Sequence, residues 1–397
     1  MTVSERASRT GGRTLRLSTK VLPEEARGHN RALVLQTLHG SGRQSRADLA
    51  RTTGLTRVTI SDLVSELMTD GLVVELGYRE SSGRGKPAIL LEIDRGAFQI
   101  IGLDLSEYSV FRGAVLDLGG QLLSRSEVLL SGSVGAEATA KVFALIETLI
   151  GLSTAPILGI GVGSPGVVDG DGTVLGASNL DWDHVELRKM LSERFLLPVI
   201  VVNDANAAVL AEHSFGDADG DMMLVKVGHG VGAGLLLGGL QFFGRHFSAG
   251  EIGHVVVGAD GQRCSCGKSG CLETWLAAPR LEAALGAATT SAAREAILRE
   301  AGVRLGTALA PIVAVLDLAE IVLSGPTEYL AGALADAAVE TIGRLTMDPL
   351  HDTVSHTPGS HDAVLRRGPA VRMSALADDI VLRGAAAMVL SEQLGFS

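Results

Sequence analysis

AGEIGHVVVGADGQRCSCGKSGCLE, residues 249–273, contains every cysteine of the chain: Cys264, Cys266 and Cys271, with His254 ten positions before the first. Zn²⁺ favours four tetrahedral ligands, and one imidazole with three thiolates is a closed structural set. Cys264 and Cys266 with Cys271 supply three ligands from one knuckle, Gly267 and Gly270 permit its turns, and His254, read as the end of the preceding strand, completes the set. Three thiols in 397 residues are too few for a disulfide framework, and their confinement to eight positions argues against three unrelated buried cysteines. With no open coordination position, such a zinc organises its surroundings and does not activate water.

Working outward, 397 residues with 46% hydrophobic content predict two or three domains with large cores. No apolar run reaches the roughly eighteen residues of a membrane span, and the N-terminal stretch is polar and basic, so the expectation is a soluble cytoplasmic protein with no membrane partner. Charge is unevenly shared. Residues 1–95 carry 15 Lys/Arg against 11 Asp/Glu, or +4, so the remainder of a chain of net charge −11 carries −15. A basic head on an acidic body suits a nucleic-acid contact made by the head alone.

The head has its own pattern. Leu33, Val34 and Leu38 form a helical stripe ending at Gly40. Ser45 caps a short helix with Asp48 as capping-box partner, and after a Gly54-Leu55 turn Thr56 caps a longer one. In that helix Ile60, Leu63, Val64, Leu67 and Met68 form the buried face, leaving Arg57, Thr59, Ser61 and Asp62 outward near its start. This is helix-turn-helix spacing, with short donors where a recognition helix enters the major groove. Two alternating strands, 72–80 and 86–94, then form a wing whose tip carries Arg84 and Lys86, cations suited to a narrow minor groove. Thr56, Arg57, Thr59, Ser61, Arg84 and Lys86 are the candidate DNA contacts. Residues 1–27 lack periodicity and read as a disordered basic arm, and 351–368, with three histidines, as a polar surface loop.

From residue 98 the grammar becomes strand and helix in alternation, in two blocks that each begin strand, glycine turn, strand. Two α/β lobes so built describe the duplicated actin-like sugar kinases, with ligands in the cleft between lobes. The stretch 249–273, together with PGVVDGDG, NLDW and VVNDANAA, resembles the ROK family (repressors, open reading frames and kinases), specifically its transcriptional-repressor branch. The resemblance spans about residues 28–397. It implies an α/β chain with an N-terminal winged helix-turn-helix at 28–95, then a two-lobed, ribonuclease H-like duplicated fold. The small lobe is 96–203 plus 374–397, and the large lobe, 204–373, carries the zinc knuckle and the oligomerisation surface.

By that resemblance Asn203 and Asp204 contact the far end of a hexose ring, Glu251, His254 and Glu273 the anomeric side with Asn179 nearby, and Gly166 lets the backbone approach the sugar. Carboxylates and amides suit hydroxyls, which both donate and accept. Asp204 also stands where the family's kinases hold their catalytic base, but the first phosphate loop, Asp-x-Gly-Gly-Thr in those kinases, reads Asp104-Leu105-Ser106-Glu107-Tyr108. Glu107 there repels nucleotide phosphates. Near the adenosine, Ser324-Gly325-Pro326 replaces three glycines, while the loop Gly228-His229-Gly230-Val231-Gly232 stays glycine-rich. The expectation is a non-enzymatic, zinc-containing, sugar-responsive repressor that binds an inverted-repeat operator as a homodimer or homotetramer, its effector a hexose or sugar phosphate. A sugar kinase and a regulator governed by a protein partner are the alternatives.

Overall fold

The computed structural model describes residues 23–78, 88–216, 218, 220–259, 261–347 and 369–395. Arg84, Lys86 and the segment 351–368 lie outside the described residues, as do the first 22 residues of the expected arm.

The head comprises α1 (Pro23–Ser41), β1 (Gln44–Ser45), α2 (Arg46–Thr53), α3 (Arg57–Thr69), β2 (Val73–Tyr78) and β3 (Ile89–Ile93). Helix α1 starts at Pro23, so the expected arm loses residues 23–27 to it; proline at a first helical position forfeits no hydrogen bond. The capping box forms as the sequence predicts: the Ser45 side chain accepts from the Asp48 amide, and Asp48 accepts from the Ser45 amide at 3.1 Å. Ile60, Leu63, Val64 and Leu67 are buried in α3. Two expectations fail in detail. Met68 is exposed, and on α1 Leu35 is fully buried while Leu33 is only half-buried. The reason is that α1 packs on two bodies at once: Leu35 and Val34 share a core with Leu63 of the head and with Ile100, Leu116 and Leu394 beyond it. β2 and β3 pair antiparallel, Val73 opposite Ile93 and Tyr78 opposite Ile89, giving the wing.

The first run of α/β elements contains β4 (Gln99–Asp104), β5 (Val110–Asp117), β6 (Leu122–Leu129), α4 (Gly135–Leu152), β7 (Ile157–Ser164), β8 (Val167–Val168), β9 (Val174–Ala177), β10 (Trp182–Val185), α5 (Leu187–Phe195), β11 (Val199–Asn203) and α6 (Asp204–Phe215). The second contains β12 (Met222–Val227), β13 (Val231–Leu237), β14 (Leu240–Gln241), α7 (Glu273–Leu276), α8 (Ala278–Ala287), α9 (Ser291–Leu316), β15 (Glu320–Ser324), α10 (Thr327–Leu330), α11 (Ala333–Leu345) and β16 (Ala370–Met373); α12 (Ile380–Leu394) closes the chain. The large sheets run β11-β7-β4-β5-β6 and β14-β13-β12-β15-β16. In each, three antiparallel strands come first, a later strand joins the first of them in parallel, and a last strand joins that one in parallel. The two sheets therefore share one topology, which is the duplicated actin-like sugar-kinase architecture.

Helix α12 follows the second sheet but packs on the first, and strand glycines let it approach. A Cβ on Gly161 of β7 would lie 2.0 Å from the Ala385 carbonyl, so only glycine fits there. On the opposite side of α12, a Cβ on Gly384 would lie 1.9 Å from the Ala207 carbonyl, so α12 and α6 nearly touch backbone to backbone.

Candidate functional site

A cleft of about 390 Å³ opens between the lobes, and Gly166, Asn179, Asn203, Asp204, Glu251, His254 and Glu273 all line it. Asp204 is the first residue of α6, directly after β11, at the carboxyl end of a strand, where open α/β sheets bind ligands. Two expected contacts have structural duties as well. The Asn203 Oδ1 caps α6 by accepting from the amides of Ala205 (2.9 Å) and Asn206 (3.1 Å), while its Nδ2 donates to the Gly166 carbonyl at 2.9 Å. At Gly166, φ is +77° and a Cβ would meet the Gly176 carbonyl at 1.9 Å, so this glycine is required by the packing of β9.

Sequence reasoning missed Lys226. Its ammonium lies 2.9 Å from Asp204 Oδ2 and donates to Ser106 Oγ at 3.1 Å; Ser106 in turn donates to Asp104 Oδ1 at 2.6 Å. Burial pulls the lysine downward, but Asp204 and Asp104 outweigh it and hold the amine above its ordinary value. Burial raises the Asp104 carboxyl, against the opposing pull of Lys226. The one signal in the sequence is a lysine within the apolar strand MMLVKV. Nearby, His229 Nε2 lies 3.3 Å from Glu107 Oε2, and its ring stands edge-on to Tyr108 with centroids 4.5 Å apart. Glu107, expected to face phosphates, thus has a histidine partner. These contacts join the loop after β4 to the turn after β12, and beyond them lies a second cavity of about 490 Å³ bordered by Asp104, Glu107 and Ser324-Gly325-Pro326.

The knuckle forms next to the cleft. His254, Cys264, Cys266 and Cys271 offer ligand atoms all within 4.8 Å of one another. His254 Nδ1 to Cys264 Sγ is 3.4 Å, and Cys266 Sγ to Cys271 Sγ 3.6 Å. Tetrahedral bonds of about 2.3 Å to sulfur and about 2.0 Å to nitrogen place neighbouring ligand atoms roughly 3.5–3.8 Å apart, so the donor set fits a metal ion. His254 lies in a 3₁₀ turn, Ile252–His254, and not at a strand end as expected. That turn leaves Nδ1 on the thiols and brings Nε2 to 4.0 Å from Glu251 Oε2 in the cleft. Burial raises the Glu251 carboxyl; His254 opposes this, and Asp204 and Glu273 add to it. Glu273 spans both features, accepting from the Val231 amide at 3.3 Å and from Cys264 Sγ at 3.7 Å.

Residues 101–392 match the ROK family. The chain belongs to this family. It is 35% identical over 254 residues to the xylose repressor of Caldicellulosiruptor bescii, covering 62% of this chain and 63% of that one. It is 30% identical over 259 residues to the DNA-binding transcriptional dual regulator NagC of Escherichia coli, covering 64% and 63%. The chain thus spans under two thirds of these relatives' lengths. Among solved structures, a ROK family transcriptional regulator homologous to the E. coli MLC protein superposes with a TM-score of 0.77 at 22% identity, over 93% of this chain and 97% of that one. A ROK family glucokinase from Streptomyces griseus, solved with glucose and AMPPNP, superposes with a TM-score of 0.58 at 25% identity, over 73% and 98%.

In this ROK protein the head and the cleft share a helix. From Asp204 in the cleft, α6 runs twelve residues to Phe215, about 18 Å at 1.5 Å per residue. There Phe215 meets the His39 ring of α1 edge-on, centroids 6.4 Å apart. Gln36 of α1 also donates to the Gly395 carbonyl, just past α12, at 2.8 Å. On α3, Arg57 and Ser61 are exposed in the first turns, with Ser61 Oγ donating to the Arg57 carbonyl at 2.9 Å. Thr56 Oγ1 caps the Thr59 amide at 3.2 Å and lies 2.9 Å from Thr59 Oγ1, which commits both threonines to the helix end. Val58, unremarked in the sequence, is 71% exposed beside Arg57. Among the described residues, no helix is long and apolar enough to cross a membrane.

Proposed function

We propose that this chain is a sugar-responsive transcriptional repressor of carbohydrate-utilisation genes and has no phosphoryl-transfer activity. The observation that carries the reading is α6, whose first residue is a cleft carboxylate and whose last packs on the DNA-binding head. A sugar that moves Asp204 moves the seat of α1. The names of the xylose repressor and NagC relatives support a regulator of this class. Against a kinase stand Lys226, whose ammonium occupies the candidate base Asp204 at 2.9 Å, and the Glu107–His229–Tyr108 cluster, which lies between the cleft and the second cavity.

In this reading residues 28–95 bind duplex DNA, two copies in a homodimer or homotetramer reading an inverted repeat, with Arg57 and Ser61 toward bases and Arg84 and Lys86 toward flanking minor grooves. The lobes divide as 96–203 with 374–397, and 204–373. His254, Cys264, Cys266 and Cys271 would hold zinc, which would supply a structural anchor; His254 faces the thiols through Nδ1 and Glu251 through Nε2.

The test is operator affinity. DNA sites are selected with the full chain, and binding is measured with D-glucose, N-acetylglucosamine and D-xylose, the last because of the relatives' names. The expected result is a 10- to 100-fold loss with one of them, about 1.4–2.7 kcal/mol of coupling. Affinity indifferent to all three, and to glucose 6-phosphate and N-acetylglucosamine 6-phosphate run beside them, removes the sensor role. Sugar-dependent ATP turnover that Asp204→Asn abolishes would establish the kinase instead.

A further inference from the structure

We propose that the effector is an uncharged sugar and that the cleft rejects sugar phosphates, because each cation bordering it is already committed to a carboxylate of this chain. The inference rests on the cleft being the sugar site argued above.

A phosphate ester brings about −1.5 to −2 charges at neutral pH and requires cationic side chains or a cradle of free backbone amides. Uncommitted cationic side chains are not on offer. Lys226 has one charge and faces Asp204 at 2.9 Å, with Asp104 joined to it through Ser106. His229 is engaged by Glu107 at 3.3 Å and by the Tyr108 ring. His254 turns Nδ1 to Cys264 and Nε2 to Glu251. Among the described residues, no arginine lines the cleft. The glycine turn, the remaining candidate for a phosphate cradle, spends two of its donors internally: the Gly228 amide bonds the Gly230 carbonyl at 2.9 Å, and the Val231 amide bonds Glu273 at 3.3 Å.

Glu251 and Glu273 add two further carboxylates to the cleft wall. A phosphate would face them in a partly desolvated space where like charges repel strongly. Sugar hydroxyls gain from the same groups, since each donates to a carboxylate without bringing a charge that needs compensation. A cleft of about 390 Å³ holds a monosaccharide of either kind, so charge, not size, discriminates.

The experiment is calorimetric titration of the full metal-loaded chain with D-xylose, D-glucose, N-acetylglucosamine, glucose 1-phosphate, glucose 6-phosphate and N-acetylglucosamine 6-phosphate. At least one neutral sugar is expected to bind at least tenfold more tightly than any phosphate ester. Glu107→Gln, which releases His229, is expected to narrow that gap while leaving the neutral sugar's affinity within about twofold. A phosphate ester binding as tightly as its parent, or more so, overturns the inference while leaving the sugar site standing. Binding by none of the six removes the sugar-site reading and this inference with it.

Discussion

Replacing Lys226 with Met probes the contact that the sequence concealed. At 2.9 Å and an effective dielectric near 20, the Lys226–Asp204 attraction is roughly 6 kcal/mol before desolvation. Both side chains are about 15% exposed, so water screens them little, yet stripping water from two charges offsets much of that gain. Losing one partner strands the other, and the net loss expected for Lys226→Met is about 3 kcal/mol. At 2–4 °C per kcal/mol, this lowers Tm by roughly 6–12 °C. Asp204→Asn leaves the ammonium with Asp104 alone and also costs stability, whereas the double variant recovers about 2 kcal/mol of the summed losses, because the pair is then absent and not half broken. The pH dependence has a definite sign. The folded chain holds the Lys226 amine above its ordinary value, so its contribution is complete below the ordinary lysine range and is lost only as pH climbs beyond it. The deficit of the single variant is therefore not expected to shrink between pH 6 and pH 9, since loss of Lys226 also removes the pull that opposes the raised Asp104 carboxyl. Scanning calorimetry on the four proteins, with metal content checked in each, decides the matter; strictly additive losses would refute the pairing.

Three further outcomes are expected. Gly270→Ala places a Cβ 1.6 Å from the Gly258 carbonyl at φ +77°, so the knuckle cannot close, and native mass spectrometry should find metal well below one ion per chain. Stripping the metal with a chelator frees His254 to rotate and should weaken sugar binding at least tenfold, restored by adding zinc; unchanged affinity would separate the knuckle from the cleft. Arg57→Ala should cost about 1–3 kcal/mol of operator binding and relax base preference, whereas Thr56→Ala, which removes the oxygen that caps the Thr59 amide, should lower the stability of the head by about 1 kcal/mol.

The features legible in the sequence were those whose partners lie close along the chain. The knuckle is one: three thiols within eight positions and two glycines at φ +88° and +77° need only a short turn to converge. The Ser45–Asp48 box and the Thr56 cap are others, because capping bonds reach no further than three residues. Strand and helix alternation likewise announced two α/β blocks, each beginning strand, glycine turn, strand. What the tertiary structure alone decided lies between segments distant in the chain. Lys226 reads as an oddity in an apolar strand until β12 is set beside the start of α6. Leu35 is buried in place of Leu33 because α1 serves two cores, and Asn203 and Gly166 acquire structural duties only once β9 packs on the loop after β7. Local hydrogen-bond geometry and hydrophobic period are written residue by residue, whereas the partner of a buried charge is chosen by how whole sheets come together.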